Sequence, residues 1–126
     1  MNGKESLVLD TNILIYLSKG EIDFKQITLD YDKLYISVIS YMEVMGFNFG
    51  NNVEKEIVEK YLTSFEIVQT DMEIANLTIK YRSENKIKIP DAIILATANK
   101  MNAHLITRNI TDFRNIDKSV ILKSPF

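Results

Sequence analysis

Short runs of apolar residues alternate along this chain with longer segments in which apolar positions recur every three or four residues. The short runs have the length and continuous hydrophobicity of strands that are buried on both faces of a sheet. Strands are therefore predicted over residues 6–10, 34–37, 66–68 and 103–107, with a last one over 119–123.

The longer periodic segments predict helices that connect these strands. One helix follows the first strand directly, because apolar residues recur at helical spacing from Ile13 onward. Another is expected to start at the S-x-x-E pattern of Ser40 and Glu43, which is typical of a capping box. Asn51 or Asn52 is then predicted to cap an amphipathic helix.

Two further helices complete the alternation of strands and helices. Thr70 and Glu73 form a second predicted capping box, and Pro90 suits the first position of a helix that runs to about Met101. Strands that are separated by helices connect through right-handed crossovers and form parallel sheets. The pattern therefore predicts an α/β fold with three layers, in which a central, mainly parallel sheet is flanked by helices on both faces.

The composition limits the chemistry that this fold can carry. A chain of 126 residues has the size of a single domain, here 1–126. Disulfides, thiolate zinc sites and multi-histidine metal sites are excluded, because the chain has no cysteine and only one histidine, His104. We interpret His104 as a packing residue, since it lies beside apolar residues in a predicted strand.

Charge and hydropathy add expectations about nucleic-acid binding, membrane association and cellular compartment. The formal net charge of −2 provides no general attraction for nucleic acid. No apolar run approaches the ~18 residues that a transmembrane helix needs, so we expect no membrane association. The cytoplasm is the expected compartment.

Four acidic residues are predicted to lie at one edge of the sheet, where ligands bind in folds of this kind. They are Asp10, Glu43, Asp91 and Asp112. Each also has a purely structural interpretation, as a helix cap, a capping-box partner, a helix-dipole acid or a turn residue. If they converge, their mutual repulsion favours a divalent cation, and oxygen ligands suit Mg²⁺ or Mn²⁺. Such an ion would support hydrolysis of a phosphodiester.

Four segments resemble, in order, the sequence motifs of the PIN domain family, in particular its VapC-type ribonuclease toxins. They are LDTNILI at 9–15, SVISYMEV at 37–44, IPDAIILATA at 89–98 and LITRNITDF at 105–113. The resemblance implies a PIN-like three-layer α/β/α fold and a Mg²⁺- or Mn²⁺-dependent endoribonuclease. It also implies an RNA substrate, a VapB-like antitoxin as partner and a homodimer.

The resemblance assigns the family's metal-binding acids to Asp10, Glu43 and Asp91. Many family members have an aspartate directly after the Thr-Arg pair of the fourth motif, and this chain has Asn109 there. The carbonyl of Asn109 can bind a metal ion or a metal-bound water, and its position in the motif favours it as the fourth catalytic residue. Asp112 is the alternative ligand, since it can supply the missing charge.

Other residues near these acids receive supporting roles. Thr11 and Thr107 are predicted to orient carboxylates or water, because short hydroxyl side chains next to ligands do so in metal sites. Arg108 is the candidate for binding substrate phosphate, with charge balance as its alternative role. Asn12 is interpreted as a cap or turn residue. The cationic residues of 82–88 are interpreted first as a solvated helix end, with contact to RNA phosphates as the alternative. If RNA is the substrate, Arg108, Lys86 and Lys88 are the residues expected to attract it.

Large apolar residues are concentrated around Gly46, in excess of what one buried helix face requires. We expect some of them to line a surface for a second subunit or an antitoxin segment. The candidates are Tyr41, Met45, Phe47 and Phe49, together with Tyr16 and Leu17.

Two alternatives to a toxin remain open. The first is a PIN-domain nuclease of RNA processing, which would share the same site. The second is a catalytically weak interaction module, which the uncharged Asn109 makes conceivable. The sequence does not indicate which RNA would be cleaved.

Overall fold

The computed structural model describes residues 4–126, and five strands in this part form a single sheet. They are β1 (Glu5–Leu9), β2 (Tyr31–Ser37), β3 (Glu66–Val68), β4 (Ala103–Ile106) and β5 (Leu122–Lys123). The strand order is β3-β2-β1-β4-β5, and all four neighbouring pairs are parallel. The predicted sheet is confirmed, although it is entirely rather than mainly parallel.

Helices connect these strands and extend the sheet into a layered fold. They are α1 (Thr11–Ser18), α2 (Phe24–Thr28), α3 (Val38–Met45), α4 (Asn52–Leu62), α5 (Met72–Glu84), α6 (Ile89–Lys100) and α7 (Ile110–Phe113). The short helices α2 and α7 were not predicted, because four or five residues do not complete a recognisable apolar period. The last strand has two residues rather than the predicted five.

Alternating residues of the strands face two separate hydrophobic cores. Leu7 and Leu9 of β1 belong to one core, which they share with residues of α1 and α4. Val8 belongs to the other core, which contains residues of α5 and α6. Both faces of the sheet are therefore covered by helices, and the predicted three-layer α/β/α architecture is confirmed.

The helix caps correct two details of the sequence interpretation. Ser37, not Ser40, caps α3, since its hydroxyl accepts a hydrogen bond from the Ile39 amide at 3.1 Å. Asp71, not Thr70, caps α5. A cap requires extended backbone at one particular residue, and the S-x-x-E spacing alone does not locate it. Asn51 caps α4 as predicted.

The sheet order places a crevice beside the carboxyl end of β1. The chain passes from β1 to β2 on one side, and β4 pairs with β1 on the other, with Leu9 opposite Ile106. The loops after β1 and β4 therefore meet where the strand order reverses, which is the usual ligand position in open α/β sheets.

The single histidine, His104, lies near the amino ends of the strands, away from the crevice. His104 Nδ1 lies 2.9 Å from the hydroxyl of Tyr31, and the two rings meet edge to face. Tyr31 begins β2, far along the strands from the crevice. The interpretation of His104 as a packing residue is confirmed.

Among residues 4–126, none of the helices has the length and hydrophobicity that a membrane span requires.

Candidate active site

Asp10 is fixed at the end of β1 by both of its carboxylate oxygens. Its Oδ1 accepts a hydrogen bond from the Thr11 amide at 2.8 Å, which makes it the cap of α1. Its Oδ2 accepts from the Thr107 hydroxyl, also at 2.8 Å. Burial raises the pKa of Asp10, while these two hydrogen bonds oppose the rise. The helix-cap interpretation is correct, but it describes only one of the two oxygens.

Thr107 connects the two loops that meet at the crevice. Its side chain is completely buried, and its hydroxyl donates to Asp10 while it accepts from the Asn109 amide at 3.0 Å. A single hydroxyl therefore orients the carboxylate after β1 and the backbone after β4.

Glu43 reaches the crevice from α3 and is held by Thr11. The Thr11 hydroxyl lies 2.6 Å from Glu43 Oε1 and 2.9 Å from the hydroxyl of Ser40. A hydroxyl has one proton, so we assign the proton of Thr11 to the carboxylate and the proton of Ser40 to Thr11. Ser40 is fully buried and supports Glu43 indirectly. Sequence reasoning missed this role because it assigned Ser40 to a helix cap.

Asp91 occupies the first turn of α6 and faces the other acids of the crevice. Its pKa is raised to about 6, first by burial and then by the charges of Asp10, Asp112 and Glu43. Lys88 opposes the rise only in part. The four predicted acids therefore lie within electrostatic reach of one another, although they are far apart in the chain.

The raised pKa of Asp91 predicts that this residue destabilises the metal-free protein at neutral pH. The unfolded-state pKa is near 3.8, so between about pH 3.8 and 6 the folded protein keeps a proton that the unfolded chain has released. Stability falls across this range, and the loss is complete above it. We expect Asp91→Asn to increase the free energy of unfolding by about 1–2 kcal/mol at pH 7.5, after allowance for partial exposure. At pH 4 the gain should be small, since the folded-state carboxyl is protonated there.

Urea denaturation in the presence of a chelator, at both pH values, measures this effect. Asp32→Asn is the matched control, because Asp32 is an exposed acid near the amino end of β2. The electrostatic explanation would be contradicted if Asp91→Asn increased the free energy of unfolding equally at pH 4 and pH 7.5, or if it decreased it at pH 7.5.

Two cavities open at this edge of the sheet, with volumes of about 620 and 590 Å³. Both are lined by four of the same residues, Asn12, Glu43, Asp91 and Asn109. Asn12 was interpreted as a cap or turn residue, but Asp10 is the cap, and Asn12 lies exposed at the crevice. Its position directly after Asp10-Thr11 is the signal that sequence reasoning passed over.

Asn109 and Asp112, the alternatives for the fourth ligand, both lie at the crevice. Asn109 lines both cavities and caps α7 without a side-chain hydrogen bond. Asp112 lines the larger cavity, and its charge contributes to the raised pKa of Asp91. The arrangement is compatible with either residue as a ligand, and the choice between them stays open.

Arg108 is directed toward aromatic residues. Its Nη1 donates to the hydroxyl of Tyr16 at 2.8 Å. Its guanidinium carbon lies 5.3 Å from the ring centre of Tyr16 and 5.4 Å from that of Phe126. Arg108 lines neither of the two crevice cavities. Its predicted role in binding substrate phosphate stays a prediction.

The apolar residues around Gly46 are only partly available at the surface. Phe47 is exposed and contacts Phe49 edge to face, and the neighbouring Met42 is 55% exposed. Leu17 is 1% exposed and belongs to the core, so its proposed place on an interaction surface is wrong.

The donor set of the crevice suits a hard divalent cation. Within residues 4–126, no three His, Cys, Asp or Glu side chains are arranged as a complete metal-binding group. Mg²⁺ does not need such a group, because it is commonly held by one or two carboxylates together with waters and substrate phosphates. The acids around Asp91 repel one another, and a cation would relieve that repulsion. The residues present therefore fit an oxygen-coordinated cation.

Comparisons with known proteins identify the family and the fold. The family described as PIN domain matches residues 7–119. Ribonuclease VapC1 of Rickettsia felis is 31% identical over 129 residues, covering 92% of this chain and 94% of the relative. A toxin-antitoxin complex from Klebsiella pneumoniae contains a chain with 37% identity and a TM-score of 0.80, covering 95% of this chain and 98% of that one. DNA-bound VapBC from Salmonella typhimurium has the same fold, with a TM-score of 0.80 at 21% identity, covering 97% and 99% of the two chains.

Proposed function

The chain belongs to the PIN domain family, and from this premise we propose that it is a metal-dependent endoribonuclease, the toxin of a toxin–antitoxin pair. The observation that carries the proposal is the position of Asp91 among Asp10, Glu43 and Asp112 at the crevice. This concentration of negative charge provides no attraction for RNA unless a cation binds there. The names of the relatives support ribonuclease activity.

The proposed cofactor is Mg²⁺ or Mn²⁺, held by Asp10, Glu43 and Asp91. Asn109 or Asp112 would complete the protein ligands. When bound, such an ion polarises a phosphodiester and lowers the pKa of an attacking water. Zinc is disfavoured, because the crevice provides neither cysteine nor histidine.

The protein's own contribution is to hold the carboxylates in fixed orientations. Thr107, which directly follows β4, fixes Asp10, and Thr11 fixes Glu43. Residues that orient metal ligands in this way commonly change metal affinity by about 10–100-fold when they are removed. The hydrolysis itself needs no covalent intermediate on the protein, since water is the nucleophile.

We further propose a homodimer that binds a VapB-like antitoxin and acts in the cytoplasm. The 37% identical chain from Klebsiella pneumoniae, which comes from a toxin-antitoxin complex, supports the partner. The exposed side chains of Met42 and Phe47 are candidates for the contact with that partner, and Phe47 also lines the smaller crevice cavity.

Controlled expression in a bacterial host tests this function. Wild-type protein should arrest growth and generate new RNA 5′ ends, and co-expression with the product of the adjacent gene should restore growth. Asp32→Asn should remain toxic, since Asp32 lies away from the crevice. Metal-dependent cleavage in vitro without growth arrest would favour the RNA-processing nuclease. Neither growth arrest nor cleavage would favour the interaction module.

A further inference from the structure

We propose that Lys86, Lys88 and Arg114 bind the phosphate backbone of the RNA strand beside the acidic residues. This assignment rests on the proposed ribonuclease function, because it identifies where that substrate lies. All three residues line the cavity of about 620 Å³ that Asp91 and Asp112 also line. One wall of the substrate site would therefore be cationic, although the protein as a whole has a net charge of −2.

Two separate segments bring these cations together. Lys86 and Lys88 belong to the connection between α5 and α6, whereas Arg114 directly follows α7. The connection is held in place from α5, since Arg82 Nε donates to the Ile87 carbonyl at 3.1 Å and Asn85 Nδ2 donates to the Tyr81 carbonyl at 3.1 Å. The two lysines therefore extend from a segment with a defined position.

Arg114 is positioned by the end of α7. Its amide donates to the Ile110 carbonyl at 2.9 Å, and the preceding Phe113 is buried in the core. The side chain of Arg114 is exposed, as are those of Lys86 and Lys88. Among residues 4–126, none of these three cations has a carboxylate partner within 4.0 Å. Their charges remain available to an anionic ligand even though the crevice is rich in acids.

The rest of the cavity has the size and polarity of a site for a charged ligand. Its lining is mainly polar, with Ile87, Pro90 and Ile116 next to the cations. The volume falls within the ~300–1,000 Å³ that is usual for ligand sites. A single RNA strand presents a series of phosphates, and the cations of this lining match them. Arg108 is directed to Tyr16 instead, so it does not account for the attraction of substrate to this cavity.

The experiment measures binding of a fluorescent single-stranded RNA to proteins that carry Asp91→Asn, so that cleavage does not interfere. Lys86→Ala/Lys88→Ala should weaken binding at least about tenfold, and Arg114→Ala severalfold, because each removes charge-assisted hydrogen bonds to phosphate. The slope of log affinity against log salt should become shallower by about 0.7 for each phosphate that the variant no longer neutralises.

Lys25→Ala/Lys33→Ala is the matched control, because it removes the same charge from exposed positions on α2 and β2, away from the crevice. It should bind RNA nearly as well as the parent, with an unchanged salt slope. Equal affinity and equal slope for the Lys86/Lys88 variant and this control would overturn the proposal, provided that the protein without substitutions cleaves RNA. If that protein cleaves no RNA in the presence of Mg²⁺ or Mn²⁺, the proposed function fails, and this assignment fails with it.

Discussion

Asp91→Asn is expected to reduce the rate of RNA cleavage at least about a thousandfold while the fold is retained. The amide keeps the shape of the side chain, but it removes the charge that would bind the cation. Metal ions contribute several kcal/mol of transition-state stabilisation, and about 4 kcal/mol corresponds to a thousandfold change in rate. Initial rates on a labelled RNA with Mg²⁺ at pH 7.5 measure the effect, with Asp32→Asn as the control.

The predicted stability change separates loss of chemistry from loss of fold. Asp91→Asn should make the metal-free protein more stable at pH 7.5, because it removes a charge that Asp10, Glu43 and Asp112 repel. A variant that is inactive and more stable has lost a functional group, not its structure. Full cleavage by purified Asp91→Asn, after removal of contaminating nucleases, would contradict the proposed site.

Removal of divalent cations is expected to abolish cleavage by the wild-type protein. Excess EDTA should lower the rate to that of Asp91→Asn, and Mg²⁺ or Mn²⁺ added beyond the chelator should restore it. The reason is that the acids by themselves cannot polarise a phosphodiester or lower the pKa of the attacking water, which is what a bound cation would do.

Thermal denaturation gives an independent measure of metal binding. A ligand at about 100 times its Kd stabilises a protein by about 2.7 kcal/mol, so Mn²⁺ should raise the Tm of the wild type clearly and that of Asp91→Asn much less. Cleavage that persists in EDTA would exclude the metal-dependent mechanism. A Tm increase with Mn²⁺ but without cleavage would instead favour the interaction module that the uncharged Asn109 made conceivable.

Local patterns were sufficient for most of the fold. The largely apolar runs at 6–10 and 103–107 predicted two buried strands, because strands covered on both faces of a parallel sheet are mostly apolar. That these two strands are neighbours came only from the structure. The helix starts were less accurate. Ser40 and Thr70 both match a capping pattern, yet Ser37 and Asp71 are the caps, since capping depends on the backbone conformation at one residue.

The candidate acids were identified from their order in the motifs, but their surroundings were not. Ser40 illustrates the difference, because its buried hydroxyl supports Thr11 and Glu43 only once α3 packs beside α1. Lys86, Lys88 and Arg114 illustrate it as well. The sequence offers Lys86 and Lys88 as a source of attraction for RNA, but only the cavity relates them to Asp91 and adds Arg114 to them.

The sequence by itself determined most of the elements, their α/β order and the family, and it limited the candidate metal ligands to oxygen donors, because these depend on residue type and on spacing along the chain. The tertiary structure decided which groups meet. Asp10 and Thr107 are separated by 97 positions and share a hydrogen bond only because β1 and β4 are neighbours in the sheet. Distances between segments remote in the chain also decide three other features, and no local pattern contains those distances. They are the raised pKa of Asp91, the direction of Arg108 and the grouping of Lys86, Lys88 and Arg114 along one cavity.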